Sequence, residues 1–416
     1  MTYACGVDFG TSNSTVGLHR PGQSVLLALE EGMTTLPSAV FFNVEDDTVS
    51  FGRAALANYL GGYEGRLMRS LKSLLGTSLI DGHTEVLGRS LPLRMLLAQF
   101  IAELKRRSEA SAGCSLDYAV FGRPVYFIDG DARADRIAEE TLREIALAAG
   151  YREVAFQYEP IAAAFDYESR IEREELVLIA DIGGGTSDFS LIRLGPDRAG
   201  KPERRDDILA NAGVHIGGTD FDKYFSLSGV MPLFGLGSRL KNNSEVPSSH
   251  YFNLATWHTI NLAYTQRTEH MLQDLCRDAV ERDKLDRLRY LIRQRLGHWL
   301  AMQVEKGKIA LSDMDETRLM LDRLSPAQTV PLDRKRFDAS ITHLVTAAEN
   351  TVQKMLNDAG VGAQSVDTVF FTGGSSGVPL LRERIAAVLP NARKVEDDLF
   401  GSIGAGLALD AARKYR

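Results

Sequence analysis

Asp181-Ile182-Gly183-Gly184-Gly185-Thr186-Ser187-Asp188 is a glycine-rich turn with an acid at its mouth, and it repeats an earlier stretch, Asp8-Phe9-Gly10-Thr11-Ser12-Asn13-Ser14. Apolar runs flank both copies, at residues 4–7, 15–18, 176–180 and 189–194. Such runs on either side of a tight turn predict a β-hairpin. The chain therefore predicts two hairpins that begin 173 residues apart and face each other across a cleft.

The residue types in both turns suit a phosphate group. Glycine lets the backbone turn sharply, so that N–H groups point into one concavity where anionic oxygens bind. Asp8 and Asp181, one at the end of each entering strand, would repel phosphates unless a cation lay between them. Magnesium suits that place because it binds through one or two carboxylates, phosphate oxygens and water. A single turn of this kind is typical of any tight hairpin, whereas the duplication favours a nucleotide cleft.

Length and composition narrow the class of protein. The chain has 416 residues, of which 44% are hydrophobic and 25% charged, as expected for a globular protein of two to three domains. A net charge of −7 argues against nucleic acid or an anionic membrane as the main partner. The three cysteines are widely spaced, and the sequence shows neither a secretion signal nor an apolar run of about 18 residues. We therefore expect a cytoplasmic protein without a membrane anchor.

Strand and helix patterns alternate along the chain and predict a mixed α/β architecture of two similar lobes. We predict a first lobe over residues 1–174, with a small upper subdomain at about 38–111. We predict a second lobe over 175–416, with an upper subdomain at about 212–329. Pro160 suits a first helical turn, which places Glu159 at a helix start. Residues 131–149 have helical periodicity, and residues 229–249, rich in Gly, Pro, Ser and Asn, predict a loop.

In this order the motifs resemble the nucleotide-binding domain of the seventy-kilodalton heat-shock chaperones of the DnaK type, within the actin-like ATPase superfamily. The resemblance covers nearly the whole chain. The repeated turns resemble the two phosphate motifs of that family, and the turn at 371–375 resembles its adenosine motif. Two connecting motifs, at 159–164 and 401–407, and three segments typical of the chaperone branch, at 72–76, 217–222 and 305–312, complete the pattern.

The resemblance implies an actin-like ATPase (ribonuclease H-like) fold, with two lobes of two subdomains each around a central nucleotide cleft. It implies that Asp8 and Asp181 hold hydrated magnesium and that Lys72 and Glu159 position the attacking water, with Asp181 and Thr186 also in the catalytic group. The implied contacts with ATP or ADP are Asp8, Gly10, Thr11, Ser12, Asn13, Gly183, Gly184, Gly185, Gly217, Gly218, Thr219, Glu305, Lys308, Ile309, Ser312, Gly373, Gly374, Ser375, Gly377 and Asp398.

The same residues also have simpler interpretations. Outside this pattern, Lys72 would be a solvated lysine, and Glu159 would stabilise a helix start. Glu305 and Lys308, one helical turn apart, would form a surface ion pair.

Two departures from the family pattern concern the base and the end of the chain. Ile309 and Gly377 stand where the family usually has arginines beside the adenine, so we expect weaker ATP binding than in full-length relatives. The last residues, up to Arg416, follow closely on the second connecting motif, as in short bacterial chaperone-like proteins of the YegD type. We therefore expect no substrate-binding domain.

The leading hypothesis is a magnesium-dependent ATP-binding protein that acts as a slow ATPase. Its lobes would close on the nucleotide and report its state to a protein partner or co-chaperone at lobe II, and we expect a monomer. Three alternatives stay open on sequence alone: an actin-like filament-forming protein, a small-molecule kinase of the same superfold, and a protein that binds nucleotide without turnover. An acceptor-independent release of phosphate would favour the ATPase over the kinase.

Overall fold

The computed structural model describes residues 3–20, 23–86, 89–128, 130–201, 203–396 and 401–415. Within these ranges the strands are β1 Tyr3–Phe9, β2 Asn13–Arg20, β3 Gln23–Leu26, β4 Thr35–Pro37, β5 Ala39–Asn43, β6 Thr48–Phe51, β7 Gly65–Arg69, β8 His83–Val86, β9 Arg89–Pro92, β10 Leu116–Arg123, β11 Glu153–Tyr158, β12 Glu175–Ile182, β13 Ser187–Leu194, β14 Ile208–Val214, β15 Glu316–Leu321, β16 Gln328–Asp333, β17 Thr368–Thr372 and β18 Arg393–Glu396.

The α-helices of the same ranges pack on the sheets and form most of residues 218–313. They are α1 Gly52–Leu60, α2 Leu93–Ala112, α3 Ala132–Ala148, α4 Glu159–Ala163, α5 Phe165–Glu168, α6 Gly218–Phe225, α7 Ser249–Ala255, α8 Gln266–Asp278, α9 Arg282–Arg293, α10 Gly297–Asp313, α11 Arg334–Asp358, α12 Pro379–Val388 and α13 Ser402–Lys414. No helix of the described ranges has both the length and the apolar composition of a membrane span.

Two central sheets share one topology. The first has the order β3-β2-β1-β10-β11 and the second β14-β13-β12-β17-β18, with β4 added beside β2 in the first sheet. In each sheet the repeated hairpin is antiparallel, and two later strands continue it in parallel. The mixed α/β fold class and both predicted hairpins are therefore confirmed.

The strands beside the cleft are apolar along most of their length because the sheets are covered on both faces. Every residue of β17 is buried, and β12 is buried from Val177 to Ala180. The hairpin strand β1 has the same character, with buried residues at Cys5, Val7 and Phe9. Each sheet is thus a rigid support for the loops at its strand ends.

Local signals in the sequence account for several boundaries. The side chain of Asp131 caps α3, since its Oδ1 accepts hydrogen bonds from the N–H groups of Arg133 and Ala134 at 3.0 and 2.9 Å. Gly150 follows the helix with a φ of +100°, a conformation that favours glycine. The predicted helix at 131–149 is confirmed, and Pro160 lies in the first turn of α4 as predicted.

The prediction of a loop over residues 229–249 is wrong at its start. Residues 226–234 form a run of helical turns, and Val230, Met231 and Phe234 are buried in the core of the second half. Burial of these apolar side chains outweighs the preference of the neighbouring Gly and Pro residues for turns. Only the later residues of the stretch form the turns that the composition predicts.

The last helix, α13, packs on the sheet of the first half, although the predicted second lobe runs to residue 416. A Cβ atom on Gly17 would lie 2.4 Å from the carbonyl oxygen of Gly404, and one on Gly406 would lie 1.9 Å from the carbonyl oxygen of Ala162. The backbone of α13 therefore touches both β2 and α4 at distances that only glycine allows. The lobe limits that we drew from the sequence stay predictions.

This close contact predicts that Gly406→Ala destabilises the protein. The added methyl group would overlap backbone atoms of α4, so α4 and α13 would have to move apart. Overpacking of this kind costs roughly 1–3 kcal/mol. Thermal unfolding followed by circular dichroism should show a lower melting temperature. Gly200→Ala is the matched control because a Cβ there would meet no atom within 4 Å. Equal melting temperatures for the two variants would contradict the packing argument.

Candidate functional site

The two repeated hairpins bring their acids to equivalent places. Asp8 lies opposite Thr15 in the β1–β2 pair, and Asp181 lies opposite Asp188 in the β12–β13 pair. Both pairs span the same number of residues, so the two turns have matching registers. Both aspartates are only partly exposed, at the floor of a cleft between the hairpins.

The two turns touch each other. A Cβ atom on Gly184 would lie 2.2 Å from the hydroxyl oxygen of Ser12, so a larger residue would push the turns apart. Within the second turn, the N–H of Gly183 donates to the carbonyl oxygen of Thr186 at 2.9 Å. The first turn is equally tight, since a Cβ on Gly10 would lie 2.2 Å from the carbonyl oxygen of Asn13. Backbone N–H groups at such turns can surround a phosphate without interference from side chains.

A third glycine-rich loop, at the start of α6, forms hydrogen bonds with the second turn. The N–H of Gly218 donates to the carbonyl oxygen of Gly183 at 3.0 Å. Thr219 donates to the carbonyl oxygen of Gly184 from both its N–H and its hydroxyl group, each at 2.8 Å. A Cβ on Gly217 would lie 2.5 Å from the N atom of Gly185. The loop that begins α6 is therefore fixed to the turn that carries the candidate phosphate contacts.

A fourth turn, which follows β17, also packs against the second hairpin. Gly373 has a φ of +82°, and a Cβ there would lie 2.4 Å from a carboxylate oxygen of Asp181. The N–H of Ser375 donates to the carbonyl oxygen of Ile182 at 3.0 Å, and its hydroxyl group would contact a Cβ on Gly218 at 2.3 Å. The predicted phosphate and adenosine turns thus meet around Asp181.

Lys72 and Glu159 form an ion pair at the floor of the cleft. The Nζ atom of Lys72 donates to Oε1 of Glu159 at 2.5 Å, and the two side chains are only 11% and 12% exposed. Lys72 lies in a single helical turn after β7, and Glu159 is the first residue of α4. Gly122 leaves room for the glutamate, because a Cβ there would lie 3.0 Å from its Cγ atom.

The charges at the floor influence one another. Burial and, to a smaller extent, the carboxylate of Glu159 raise the pKa of Asp8 to about 7, although Lys72 opposes the rise. Burial, followed by the negative charge of Asp188, likewise raises the pKa of Asp181 to about 8. Burial lowers the pKa of Lys72, but its three acidic neighbours more than offset this and leave the pKa raised. The floor therefore contains more carboxylates than its one lysine can balance.

This donor set fits a hydrated magnesium ion that arrives with phosphates. The described residues contain no group of three or more His, Cys, Asp or Glu side chains that could hold a metal by themselves. Asp8 and Asp181 would supply one or two carboxylates, and water and phosphate oxygens would have to supply the remaining ligands. A cation there would favour the ionised form of both acids, whose pKa values are raised without one.

The residues predicted to contact the nucleoside at 305–312 lie on α10. Glu305 and Ile309 are exposed there, and Ile309 is 57% exposed although it is apolar. Lys308 is instead only 8% exposed, and its Nζ atom donates to Oδ2 of Asp222 at 3.0 Å and to the carbonyl oxygen of Gly218 at 3.1 Å. Lys308 therefore pairs with Asp222, and the alternative of a surface ion pair between Glu305 and Lys308 is wrong.

The other predicted site residues occupy the same loops and helix, except for Asp398, which lies outside the described residues. The remaining members of the set are Thr11, Asn13, Gly185, Thr186, Ser312, Gly374 and Gly377. Gly185, Thr186 and Gly374 are exposed at the cleft wall. The hydroxyl of Thr186 donates to Asp188 at 3.0 Å.

Three residues of the site were missed as candidates. Asp222 pairs with Lys308 and closes the Gly-Gly-x-Asp-Phe-Asp segment, whose last aspartate was the available signal. Asp188 is the second acid of the repeated turn and faces Asp181 across the hairpin. Arg69 lies at the end of β7, where burial lowers its pKa and the negative charges of Glu305 and Asp222 oppose that change. No sequence motif marks this arginine.

Comparisons with known proteins agree with this geometry. The family model described as "Hsp70 protein" matches residues 4–94, 83–227 and 269–411. The chain is 26% identical over 422 residues to "Chaperone protein DnaK" of Thermosipho melanesiensis, covering 99% of this chain and 59% of that protein. It is 27% identical over 417 residues to the protein of the same name from Thermosipho africanus, covering 97% of this chain and 58% of that protein. The chain therefore spans about three fifths of the length of the curated relatives it matches.

The raised pKa of Asp181 predicts that Asp181→Asn stabilises the protein at alkaline pH when metal and nucleotide are absent. A carboxyl group whose pKa is higher in the folded state binds its proton more tightly there, so stability falls as pH rises from the unfolded to the folded pKa. At pH 8 the variant should be more stable by about 2 kcal/mol, less than the full shift implies, because the cleft is open to solvent. The gain should disappear near pH 4.

Melting temperatures measured in EDTA between pH 4 and pH 8 test this prediction. Asp197→Asn, at an exposed loop position, is the control and should show no pH-dependent gain. A difference between Asp181→Asn and wild type that stays constant across this range would contradict the assignment.

Proposed function

Because this chain belongs to the Hsp70 protein family, we propose that it binds ATP with magnesium and hydrolyses it slowly, as a chaperone-like nucleotide switch. The observation that carries the proposal is the ion pair of Lys72 and Glu159, whose Nζ and Oε1 atoms are 2.5 Å apart. The charges of Asp8 and Asp181 also act on Lys72. A surface ion pair contributes little to stability, and a buried one is costly to desolvate. The place of this pair between the two phosphate turns favours a catalytic role.

The repeated turns would hold the phosphates. The hydroxyl of Ser12 lies at the contact between the two hairpins and could donate to a phosphate, whereas the hydroxyl of Thr186 would first have to leave Asp188. Magnesium, when bound with the nucleotide, would neutralise phosphate charge between Asp8 and Asp181. The Lys308–Asp222 pair would fix the nucleoside helix against the loop at Gly218.

Hydrolysis would need little more than correct placement. Phosphoryl transfer asks a protein for in-line positioning and neutralisation of charge, and it needs no covalent chemistry from a side chain. Glu159 can accept a hydrogen bond from an attacking water, while Lys72 holds that carboxylate in place and faces the phosphates. A rigid floor of buried strands keeps both groups aligned.

The output of the switch would be a change in how the two halves of the chain meet. Nucleotide bound between the hairpins contacts both sheets, so it would favour a closed arrangement over an open one. A protein partner or co-chaperone at lobe II would sense that difference, and we place the protein in the cytoplasm as a monomer. The DnaK relatives are longer than this chain, and their full activity is not assigned to it.

The lysine of the pair provides the first test of catalysis. Lys72→Ala and Asp181→Asn should each lower the single-turnover rate of ATP hydrolysis by about 10²–10³-fold, since the first removes a cation beside the reacting phosphate and the second removes a carboxylate that would hold the magnesium ion. The measurement is phosphate release from radiolabelled ATP with the protein in excess and magnesium present.

Lys354→Ala is the matched control for this experiment because Lys354 is 78% exposed and forms a surface ion pair with Asp358, one helical turn away. Circular dichroism should verify that Lys72→Ala still folds, since it leaves Glu159 without its partner. Equal rates in wild type and both site variants would remove the catalytic assignment.

The base end of the cleft predicts weak and poorly selective nucleotide binding. Ile309 offers an exposed apolar side chain to a base but no cation, and Ile309→Arg would restore a guanidinium at that place. A cation stacked on an aromatic face contributes about 0.5–2 kcal/mol. Calorimetry should therefore show about 2- to 30-fold tighter ATP binding in the variant.

Ile137→Arg, an equally exposed isoleucine on α3, is the control for added charge. Tightening by both arginine variants would mean that net charge causes the effect. Wild-type affinity equal to that of full-length relatives would contradict the prediction of weak binding.

A further inference from the structure

Ser38 forms hydrogen bonds with the first repeated turn, residues 8–14. This serine lies between β4 and β5 and is only 1% exposed. Its N–H donates to the carbonyl oxygen of Ser12 at 2.9 Å, and its hydroxyl group donates to the carbonyl oxygen of Gly10 at 2.6 Å. One residue from another part of the chain thus binds two carbonyl groups of the turn.

A third contact fixes the direction of the Ser38 hydroxyl group. The hydroxyl oxygens of Ser14 and Ser38 lie 3.0 Å apart, and both residues are buried. A serine hydroxyl has a single proton to donate, and that of Ser38 is directed to Gly10. The Ser14 hydroxyl is therefore the donor to Ser38, so the two serines form a chain of hydrogen bonds that ends on the turn.

These hydrogen bonds set the orientation of two peptide groups. In a trans peptide, the C=O group of one residue and the N–H group of the next point in opposite directions. The peptide groups that follow Gly10 and Ser12 are trans. The N–H groups of Thr11 and Asn13 therefore point away from Ser38. Both residues belong to the contacts with ATP or ADP that the family resemblance implies.

The second turn is held at the equivalent carbonyl group. Gly10 and Gly183 each come two residues after the acid of their turn. The carbonyl oxygen of Gly183 accepts a hydrogen bond from the N–H of Gly218 at 3.0 Å, as that of Gly10 does from the Ser38 hydroxyl. Two different kinds of donor thus hold the same peptide group in both halves, which indicates that its orientation matters for the ligand.

Ser38 is itself held in place by its neighbours. The strand before it, β4, pairs with β2 in antiparallel register. The guanidinium group of Arg53 on α1 donates to both the carbonyl and the hydroxyl oxygen of Thr35, the first residue of β4. Every residue of the strand after it, β5, is buried. Ser38 therefore gives the turn a fixed point of attachment.

We infer that Ser38 is a positioning residue that presents the N–H groups of Thr11 and Asn13 to the phosphates of a bound nucleotide. It acts through the carbonyl groups of Gly10 and Ser12, and its burial keeps it out of contact with the nucleotide. The inference rests on the proposed nucleotide binding. Loss of the hydroxyl group would leave the Gly10 carbonyl without this donor, so the peptide group could rotate and phosphate binding would weaken.

Competition binding separates the phosphate end of the ligand from its nucleoside end. ADP with magnesium, and adenosine in a parallel titration, displace a fluorescent ADP analogue, and the two inhibition constants are compared. Ser38→Ala should weaken ADP binding about tenfold, as expected for the loss of one hydrogen bond, and should change adenosine binding less than about twofold. Ser38→Thr keeps the hydroxyl group, so its affinity for ADP should stay within about threefold of wild type.

Ser14→Ala provides the same test without removing the bond between Ser38 and Gly10. It deletes only the hydroxyl group that donates to Ser38, so it should weaken ADP binding about threefold and leave adenosine binding unchanged. This variant keeps the inference testable if Ser38→Ala does not fold.

Ser108→Ala is the matched control for the loss of a buried hydroxyl group. Ser108 is fully buried on α2, and its hydroxyl group donates to the carbonyl oxygen of Leu104 at 2.7 Å within the same helix. Its replacement should change neither inhibition constant. Melting temperatures of all variants show how much each hydroxyl group contributes to stability, independently of ligand binding.

The outcomes separate this inference from the proposed function. Weaker binding of ADP but not of adenosine in Ser38→Ala or Ser14→Ala, with Ser38→Thr and Ser108→Ala close to wild type, supports the positioning role. Equal weakening of both ligands, or a lower melting temperature with no change in binding, overturns that role and leaves the proposed nucleotide binding intact. Failure of the wild-type protein to bind ADP overturns the proposed function, and this inference with it.

Discussion

The pairing of one lysine with one glutamate determines how the floor of the cleft can be built. Without Lys72, three carboxylates would face one another in a partly dehydrated space, and each would raise the cost of ionising the others. The pair also joins distant parts of the chain, since Lys72 follows β7 and Glu159 begins α4. A change in either residue therefore affects the charge of the floor and the position of two elements.

Close backbone contacts extend this constraint to the rest of the molecule. The helix that begins with Glu159 touches α13 at Gly406, and α13 in turn lies against β2 at Gly17. Glycine makes these approaches possible because a Cβ atom at any of the contacts would overlap backbone atoms. A displacement of Glu159 would therefore be carried by rigid elements into the sheet that holds Asp8.

The sequence predicted those features that depend on local chemistry. Both glycine turns, the helix start at Pro160 and the mixed α/β fold class follow from turn residues, capping and apolar runs, and the family resemblance is confirmed by comparison. Features that depend on side chains far apart in the chain were missed. The Lys308–Asp222 pair and the contact of Tyr59 with His298 join residues 86 and 239 positions apart, and no local pattern records such a pairing. The buried start of residues 229–249 was hidden by its turn-forming neighbours.

The shared order of the two sheets has a consequence for the direction in which a ligand lies. Two halves with the same strand order are what a duplicated and fused gene would encode, and a perfectly symmetric pair would accept an asymmetric ligand in either of two opposite orientations. The matched registers show where this symmetry is broken at the floor, since Asp8 faces Thr15 while Asp181 faces Asp188. One half thus presents a single acid and the other presents two. Divergence at one such position makes the two halves of a duplicated fold different. A ligand with two distinct ends can then bind in a single orientation.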